Sequence, residues 1–262
     1  MKSINQVSGF SKERFLQVVK RFWVLNQKKW LIGFAGGFGI LILIYLMNSY
    51  GRISNMGTSS SSYAGQAVVG IGLTLYKFGG YFLTSGIFNE LGRKSSASQM
   101  LTLPASTFEK FAAGWFLTYF LYTVFVVGIL YIISIILGVN PTLMSFQVSV
   151  PVENMSNIHF LDTLLTFTAM HSVFFLGSIY FDGNNFLKTL LATVLFYIGF
   201  GIITVIFVTV FYGGVTTGMV SFSANWDFNP MNLMMASVFV KIGVAILFLF
   251  LSYRQLQNRQ IA

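Results

Sequence analysis

Three ionisable side chains lie inside long apolar stretches of this sequence: Lys77, His171 and Lys241. Burying such a group in an apolar environment is costly, so it is usually retained for a task such as lining a path for a polar or anionic solute. We predict that Lys77 and Lys241 each lie about 18 Å from one end of their stretch, at 1.5 Å per helical residue. The three residues are therefore candidates for a translocation path.

Each candidate also has a simpler interpretation. If the helix that contains Lys241 begins later than residue 232, the ammonium group of Lys241 can extend to the edge of the apolar region. We favour this interpretation. His171 can form a hydrogen bond to a neighbouring helix. Lys77 lies among small residues that allow close helix packing: Gly70, Gly72, Gly79 and Gly80.

The sequence contains no recognisable catalytic or metal-binding set. His159 and His171 are the only histidines, cysteine is absent, and no H-E-x-x-H motif occurs, which argues against a zinc site. Ser178 lacks the G-x-S context of an intramembrane serine protease. The motif G-x-x-x-x-G-K-[ST] is also absent, so this chain has no phosphate-binding loop of that kind. We expect neither enzymatic activity nor a cofactor bound by this chain.

The composition determines which elements must position these residues. Of the 262 residues, 55% are hydrophobic and only 9% are charged, against about 25% charged residues in soluble domains. So few charges cannot cover a water-soluble globule of this size, so most of the surface must face lipid. The net charge of +9 would favour nucleic acid in a soluble protein. Here the charges lie outside the apolar stretches, and we expect lipid and no nucleic acid as a partner.

Six apolar stretches have about the 20 residues that a helix needs to cross roughly 30 Å of hydrocarbon. Their runs of β-branched residues lack the period-two alternation of a membrane barrel, so they favour helices. We predict an all-α membrane protein with one six-helix domain over residues 30–254. The spans are predicted at 30–48, 65–89, 111–137, 161–181, 189–212 and 232–253.

The basic residues predict the orientation of these spans. Thirteen of the sixteen Lys and Arg residues fall on one side of the six spans, and only Arg52 falls on the other. Because cytoplasmic segments carry the excess of Lys and Arg, both termini are predicted to be cytoplasmic. Residues 255–262 would then form a short cytoplasmic tail.

Residues 1–29 are predicted to form a basic amphipathic segment. Four apolar residues recur at the spacing of one helix face: Phe15, Val18, Val19 and Phe22. The cations between them are Lys12, Arg14, Lys20 and Arg21. We expect this helix to lie flat on the anionic membrane surface and to turn into the first span. The alternative is a basic tail that only follows the positive-inside rule.

The cytoplasmic loop between spans two and three carries clear local signals. Ser106 followed by Glu109 is a capping box, which predicts the start of a helix. Pro104 disfavours helix at the residue before it, so the chain turns there. Apolar residues on such a loop either await a partner protein or pack on the chain's own helix ends, and both options stay open for Met100, Leu101 and Leu103.

These features together resemble a known family. The loop reads Glu90-Leu-Gly-Arg-Lys and then Leu101-Thr-Leu-Pro-Ala-Ser-Thr-Phe-Glu-Lys110. With an amphipathic N-terminal helix and six spans, it resembles the membrane subunits of ABC-2 type transporters, in particular those of Bacteroidetes-like bacteria. The resemblance implies the ABC-2 type permease fold, a role in export and a place in the bacterial cytoplasmic (inner) membrane.

The resemblance also implies partners. A separate ABC ATP-binding subunit would hold ATP and Mg, and a second permease copy, identical or paralogous, would complete the pathway. The loop would couple to the ATP-binding subunit through Glu90, Leu91, Arg93, Lys94, Met100, Leu101, Pro104 and Glu109. The alternative is an ion-coupled secondary transporter or channel with Lys77 as its charged gate, although carboxylates are absent from the middles of the apolar stretches.

Overall fold

The computed structural model describes residues 9–54, 61–92, 94–137, 160–212 and 230–261. Every regular element in these ranges is a helix, which confirms the predicted all-α class for this part of the chain. In chain order they are α1 (Lys12–Ser54), α2 (Ser61–Ser85), a 3-10 helix (Asn89–Gly92), α3 (Lys94–Leu101), α4 (Thr107–Trp115), a π-helix (Phe116–Leu121), α5 (Tyr122–Ile136), α6 (Phe160–Tyr180), α7 (Asn185–Tyr212) and α8 (Pro230–Ile261).

Five helical segments in the described ranges are long and apolar enough to cross a membrane. They are Lys12–Met47, Thr107–Ile136, Leu161–Tyr180, Asn185–Phe207 and Met235–Arg259, and each overlaps one predicted span. The predicted span 65–89 corresponds to α2, which is not among the five although it has 25 residues. Its lysine, glycines and hydroxyl residues reduce its hydropathy. The chain is thus a helical protein with several helices suited to cross a bilayer.

Two predicted boundaries differ from the structure. The helix α1 continues past residue 29 without a break, so the predicted turn between a surface segment and the first span is wrong. It has 43 residues and is therefore about 65 Å long. No Gly or Pro occurs between Lys12 and Ile32, so nothing in the sequence ends the helix there. Likewise, α8 extends to Ile261, and most of the predicted tail 255–262 is helical.

The core forms around α2, which packs against α1, α5 and α6. Aromatic rings fill the centre: Phe167 lies with its ring centroid 4.5 Å from that of Tyr76, and Tyr76 stacks on Tyr122 at 5.6 Å. A Cβ atom at Gly80 would lie 2.4 Å from Cε2 of Phe167. Only glycine permits this approach, which confirms the predicted close packing of the glycine-rich part of α2.

Two ion pairs define how α6 and α8 lie against each other. Lys241 on α8 pairs with Asp162 in the first turn of α6. Arg259 near the end of α8 pairs with Asp182, just beyond the end of α6, at 2.9 Å. Residue numbers rise together along both helices, so α6 and α8 run parallel. The intervening helix α7 must therefore return in the opposite direction.

Charge reversal tests the parallel arrangement. Asp162→Lys or Lys241→Asp alone brings like charges together, and we expect each to cost about 1 kcal/mol because the pair is partly exposed. The double reversal should recover most of that loss. Thermal unfolding of the detergent-purified protein measures the effect, with exposed Lys20→Asp as the control variant. A double variant no more stable than either single one would contradict the pairing.

Candidate functional site

The segment that joins α2 to α4 begins with the 3-10 helix, continues through α3 and turns at Pro104. The predicted capping box is confirmed at its end. The Ser106 hydroxyl accepts a hydrogen bond from the Glu109 main-chain N–H at 3.2 Å, and Oε2 of Glu109 accepts one from the Ser106 N–H at 2.7 Å. This reciprocal pair determines where α4 starts.

The Glu109 carboxylate also binds the N-terminal segment. Its Oε1 atom accepts a hydrogen bond from the Ser11 main-chain N–H at 2.7 Å and another from Nη2 of Arg14 at 3.0 Å. The side chain of Glu109 is 0% exposed. The predicted direct contact of Glu109 with a partner protein is therefore wrong, because its oxygens are enclosed by this chain. Glu109 instead joins α4 to α1.

A second ion pair connects the loop to α1. Nη2 of Arg21 lies 3.2 Å from Oε2 of Glu90, and both side chains are only about one-fifth exposed. Arg14 and Arg21 are seven residues apart, so they share one face of α1. Two of the cations predicted to contact the membrane surface thus pair with two of the acids predicted to couple to a partner. Lys12 and Lys20, the other two cations, are exposed.

The apolar face of α1 likewise packs on protein. Val18 and Phe22 are buried, and the Phe22 ring meets the Phe88 ring edge-to-face at 5.6 Å. The prediction that this face lies in lipid is therefore wrong. An amphipathic spacing shows that a helix has one apolar face, but it does not distinguish lipid from protein as the surface that covers it.

A third connection passes through Arg259, which sequence reasoning missed. Its guanidinium donates to the Tyr180 carbonyl at 2.9 Å, to Asp182 at 2.9 Å and to the Leu91 carbonyl in the 3-10 helix at 3.4 Å. A single side chain therefore joins the ends of α6 and α8 to the loop. Two sequence features could have indicated this contact: a basic residue near the end of the last helix and Asp182 in the turn after α6.

The apolar residues of the loop divide between inside and outside. Leu91 is buried and Met100 is 1% exposed, so Met100 follows the packing alternative and not exposure to a partner. Arg93, and the side chains of Lys94 and Leu101, lie outside the described residues. The exposed outer surface here includes Gln99, Thr102 and Pro104 of the loop and Phe108 in the first turn of α4. We call these four residues the loop surface.

His171 is enclosed in the core. Its Nε2 atom lies 3.0 Å from Oγ1 of Thr118 in the π-helix, which confirms the predicted interhelical hydrogen bond. The imidazole is 1% exposed and packs beside the rings of Phe167 and Phe175. The side chain is therefore part of the packed core that joins α6 to the π-helix.

The two lysines differ from each other. Lys77 is half-buried on α2 and forms no ion pair within the described ranges. Lys241 is the twelfth residue of α8 and lies opposite the first turn of α6. A position near one edge of the apolar region, which we favour, fits this contact.

Comparison with protein-family models, with curated proteins and with solved structures finds no match to this chain. Function is therefore inferred from the residues themselves. Their arrangement has one mechanical property. Two ion pairs join α1 to the loop and to the start of α4, and Arg259 joins the loop to α6 and α8. A force on the loop surface would reach three long helices.

Proposed function

We propose that this chain is the permease subunit of an ABC-2 type exporter in the cytoplasmic membrane of a bacterium. It forms the translocation path together with a second permease copy, identical or paralogous. A separate ABC ATP-binding subunit binds ATP and Mg and drives transport. Both termini lie in the cytoplasm, and the loop between α2 and α4 is the contact with the ATP-binding subunit.

The anchored loop is the observation that supports this proposal most. An energy-coupling segment must offer a surface to its partner and must move together with the helices that line the path. The loop surface is exposed, with Phe108 52% accessible. Behind it, Glu109 and Glu90 are held by arginines of α1. Closure of the ATP-binding subunits would push the loop and tilt α1 with it.

The proposed topology has six spans: the five long apolar segments together with α2. The 25 residues of α2 reach about 37 Å, which exceeds the roughly 30 Å of hydrocarbon. The helix is covered by α1, α5 and α6, so its polar residues would face protein more than lipid, where a membrane helix tolerates them. Both termini then lie on the side that carries thirteen of the sixteen basic residues.

Capture of the ATP-binding subunit tests the proposal. The experiment co-expresses the tagged chain with an ABC ATP-binding subunit encoded beside it in its genome and measures the amount retained after detergent extraction. The test variant Gln99→Arg with Thr102→Arg places two charges on the loop surface. We expect it to retain the ATP-binding subunit at least about tenfold less, since charges unmatched by the partner weaken an interface.

The matched control is Gln257→Arg with Asn258→Arg, which adds the same two charges to exposed positions near the end of α8. It should retain the ATP-binding subunit as the unaltered chain does. Equal retention by both variants would overturn the assignment of the loop. A well-folded chain that never retains an ATP-binding subunit would instead favour the ion-coupled transporter, for which half-buried Lys77 is the structural basis.

A further inference from the structure

A cavity of about 440 Å³ opens between α1, the end of α2 and the start of α7. Its polar lining includes Asn26, Lys29, Asn89 and Asn185, and it borders a smaller cavity of about 210 Å³ that reaches Glu90. The apolar segment of α7 begins at Asn185, so the cavity lies at the edge of that segment, where lipid headgroups meet the hydrocarbon.

Two features at the cavity attract an anion. Lys29 is exposed and forms no ion pair within the described ranges, and its Nζ lies 3.8 Å from where a Cβ atom of Gly86 would be. The nearest acid on the loop, Glu90, borders the smaller cavity and forms an ion pair with Arg21. The 28-residue helix α7 also starts at this cavity. Its first-turn N–H groups lack intrahelical acceptors and carry partial positive charge.

Asn185 indicates that the occupant must also carry a hydrogen-bond donor. Its side chain is 5% exposed and its Nδ2 donates to the Ser178 carbonyl at 3.1 Å. Its Oδ1 is buried and has no hydrogen-bond partner among the described residues. A buried acceptor without a donor is rare and costly, so the occupant of this cavity should supply a donor.

Apolar side chains border the same cavity. Phe82 and Leu187 both line it and are 52% and 62% exposed. An occupant bound by Lys29 and Asn185 would thus extend an apolar part over these two side chains. We propose that this cavity binds a phospholipid whose headgroup joins the phosphate to a hydrogen-bond donor, an ammonium or a hydroxyl. The inference does not depend on the proposed transport function.

The roles of the groups follow from their chemistry. Lys29 and the first turn of α7 bind the phosphate oxygens. Oδ1 of Asn185 accepts a hydrogen bond from the ammonium of phosphatidylethanolamine or from a hydroxyl of phosphatidylglycerol. Phosphatidylcholine has the same phosphate, but its trimethylated nitrogen cannot donate. The three lipids therefore separate the contribution of the phosphate from that of the donor.

Native mass spectrometry of the full chain in detergent tests the site. The protein is mixed in turn with phosphatidylethanolamine, phosphatidylglycerol and phosphatidylcholine that carry identical acyl chains. We expect the first two to be retained more than the third. Lys29→Gln should reduce retention about fivefold, the effect of one lysine near a phospholipid surface. Lys28→Gln removes an equally charged, exposed neighbour and should leave retention unchanged.

Two further measurements test whether the lipid occupies this cavity and whether a soluble phosphate competes for it. Gly86→Leu would extend a side chain into the cavity, and a Cβ atom there meets only ordinary contacts, so the variant should fold. It should lose the bound lipid. Equal retention of all three lipids, or retention unaffected by Lys29→Gln or Gly86→Leu, would overturn the proposal. Displacement of the lipid by equimolar glycerol phosphate would show a site for soluble phosphates and would also overturn it.

Discussion

Replacing Glu109 by alanine is expected to lower the thermal midpoint of the purified protein by roughly 6 to 12 °C. The side chain is fully buried, and its two oxygens accept hydrogen bonds from Ser11, Arg14 and Ser106. Alanine would leave two main-chain N–H groups and a guanidinium without their acceptor. Each buried donor left without an acceptor costs about 1 to 3 kcal/mol, so we expect a total loss of about 3 kcal/mol.

The control for this prediction is Glu13→Ala. Glu13 is exposed on α1, one residue from Arg14, so its removal changes the net charge equally and should alter stability by less than about 0.5 kcal/mol. Glu109→Gln retains the shape and one carbonyl acceptor, and it should fall between the two. Tryptophan fluorescence during heating measures all three variants. If Glu109→Ala and Glu13→Ala unfold at the same temperature, the described anchoring of α4 to α1 is incorrect.

The second large effect is expected from Gly177→Ala on α6. A Cβ atom at this position would lie 1.9 Å from Oγ1 of Thr189 and 2.9 Å from its Cβ. Thr189 cannot move away easily, since it is buried and its hydroxyl donates to the Asn185 carbonyl at 2.7 Å. The added methyl group must therefore separate α7 from α6. Such overpacking lowers the free energy of unfolding by about 3 kcal/mol. The thermal midpoint of Gly177→Ala should therefore fall as far as that of Glu109→Ala.

Two variants make the interpretation of Gly177→Ala specific. Gly199→Ala on α7 has no atom within 4 Å of the new Cβ, so it should be neutral, or stabilising by up to about 1 kcal/mol through higher helix propensity. Combining Gly177→Ala with Thr189→Ala removes the nearest atom and should recover part of the loss. If Gly177→Ala unfolds at the same temperature as Gly199→Ala, the helices do not approach as closely as described.

The features predicted correctly from sequence are those that local residues determine. Ser106 and Glu109 are three residues apart, so their reciprocal bonds depend only on α4 itself. Five of the six predicted apolar stretches coincide with helices that are long and apolar enough to cross a membrane, because length and composition suffice for that prediction. The glycines of α2 likewise predicted close packing, although they did not identify Phe167 as the residue that fills the space.

The features that sequence reasoning missed depend on contacts between distant residues. The amphipathic face of α1 is compatible with lipid or protein, and only its packing against Phe88 decides between them. The pairing of Glu90 and Glu109, the only acids of the loop sequence, with two arginines one heptad apart on α1 is not predicted from sequence. The position of Lys241 depends on Asp162, 79 residues away, because no local pattern determines how α8 aligns with α6.

The π-helix has a consequence for the whole segment from α4 to α5. The buried residues of this segment include a series spaced by multiples of four positions: Lys110, Gly114, Thr118, Tyr122, Leu130 and Ser134. In an α-helix, four residues exceed one turn by about 40°, so this stripe would rotate by about 240° between its first and last members. The wider turns from Phe116 to Leu121 rotate less per residue and reverse part of that drift. The irregular turn thus brings the buried residues of α5 closer to the direction of those in α4 than a continuous α-helix would.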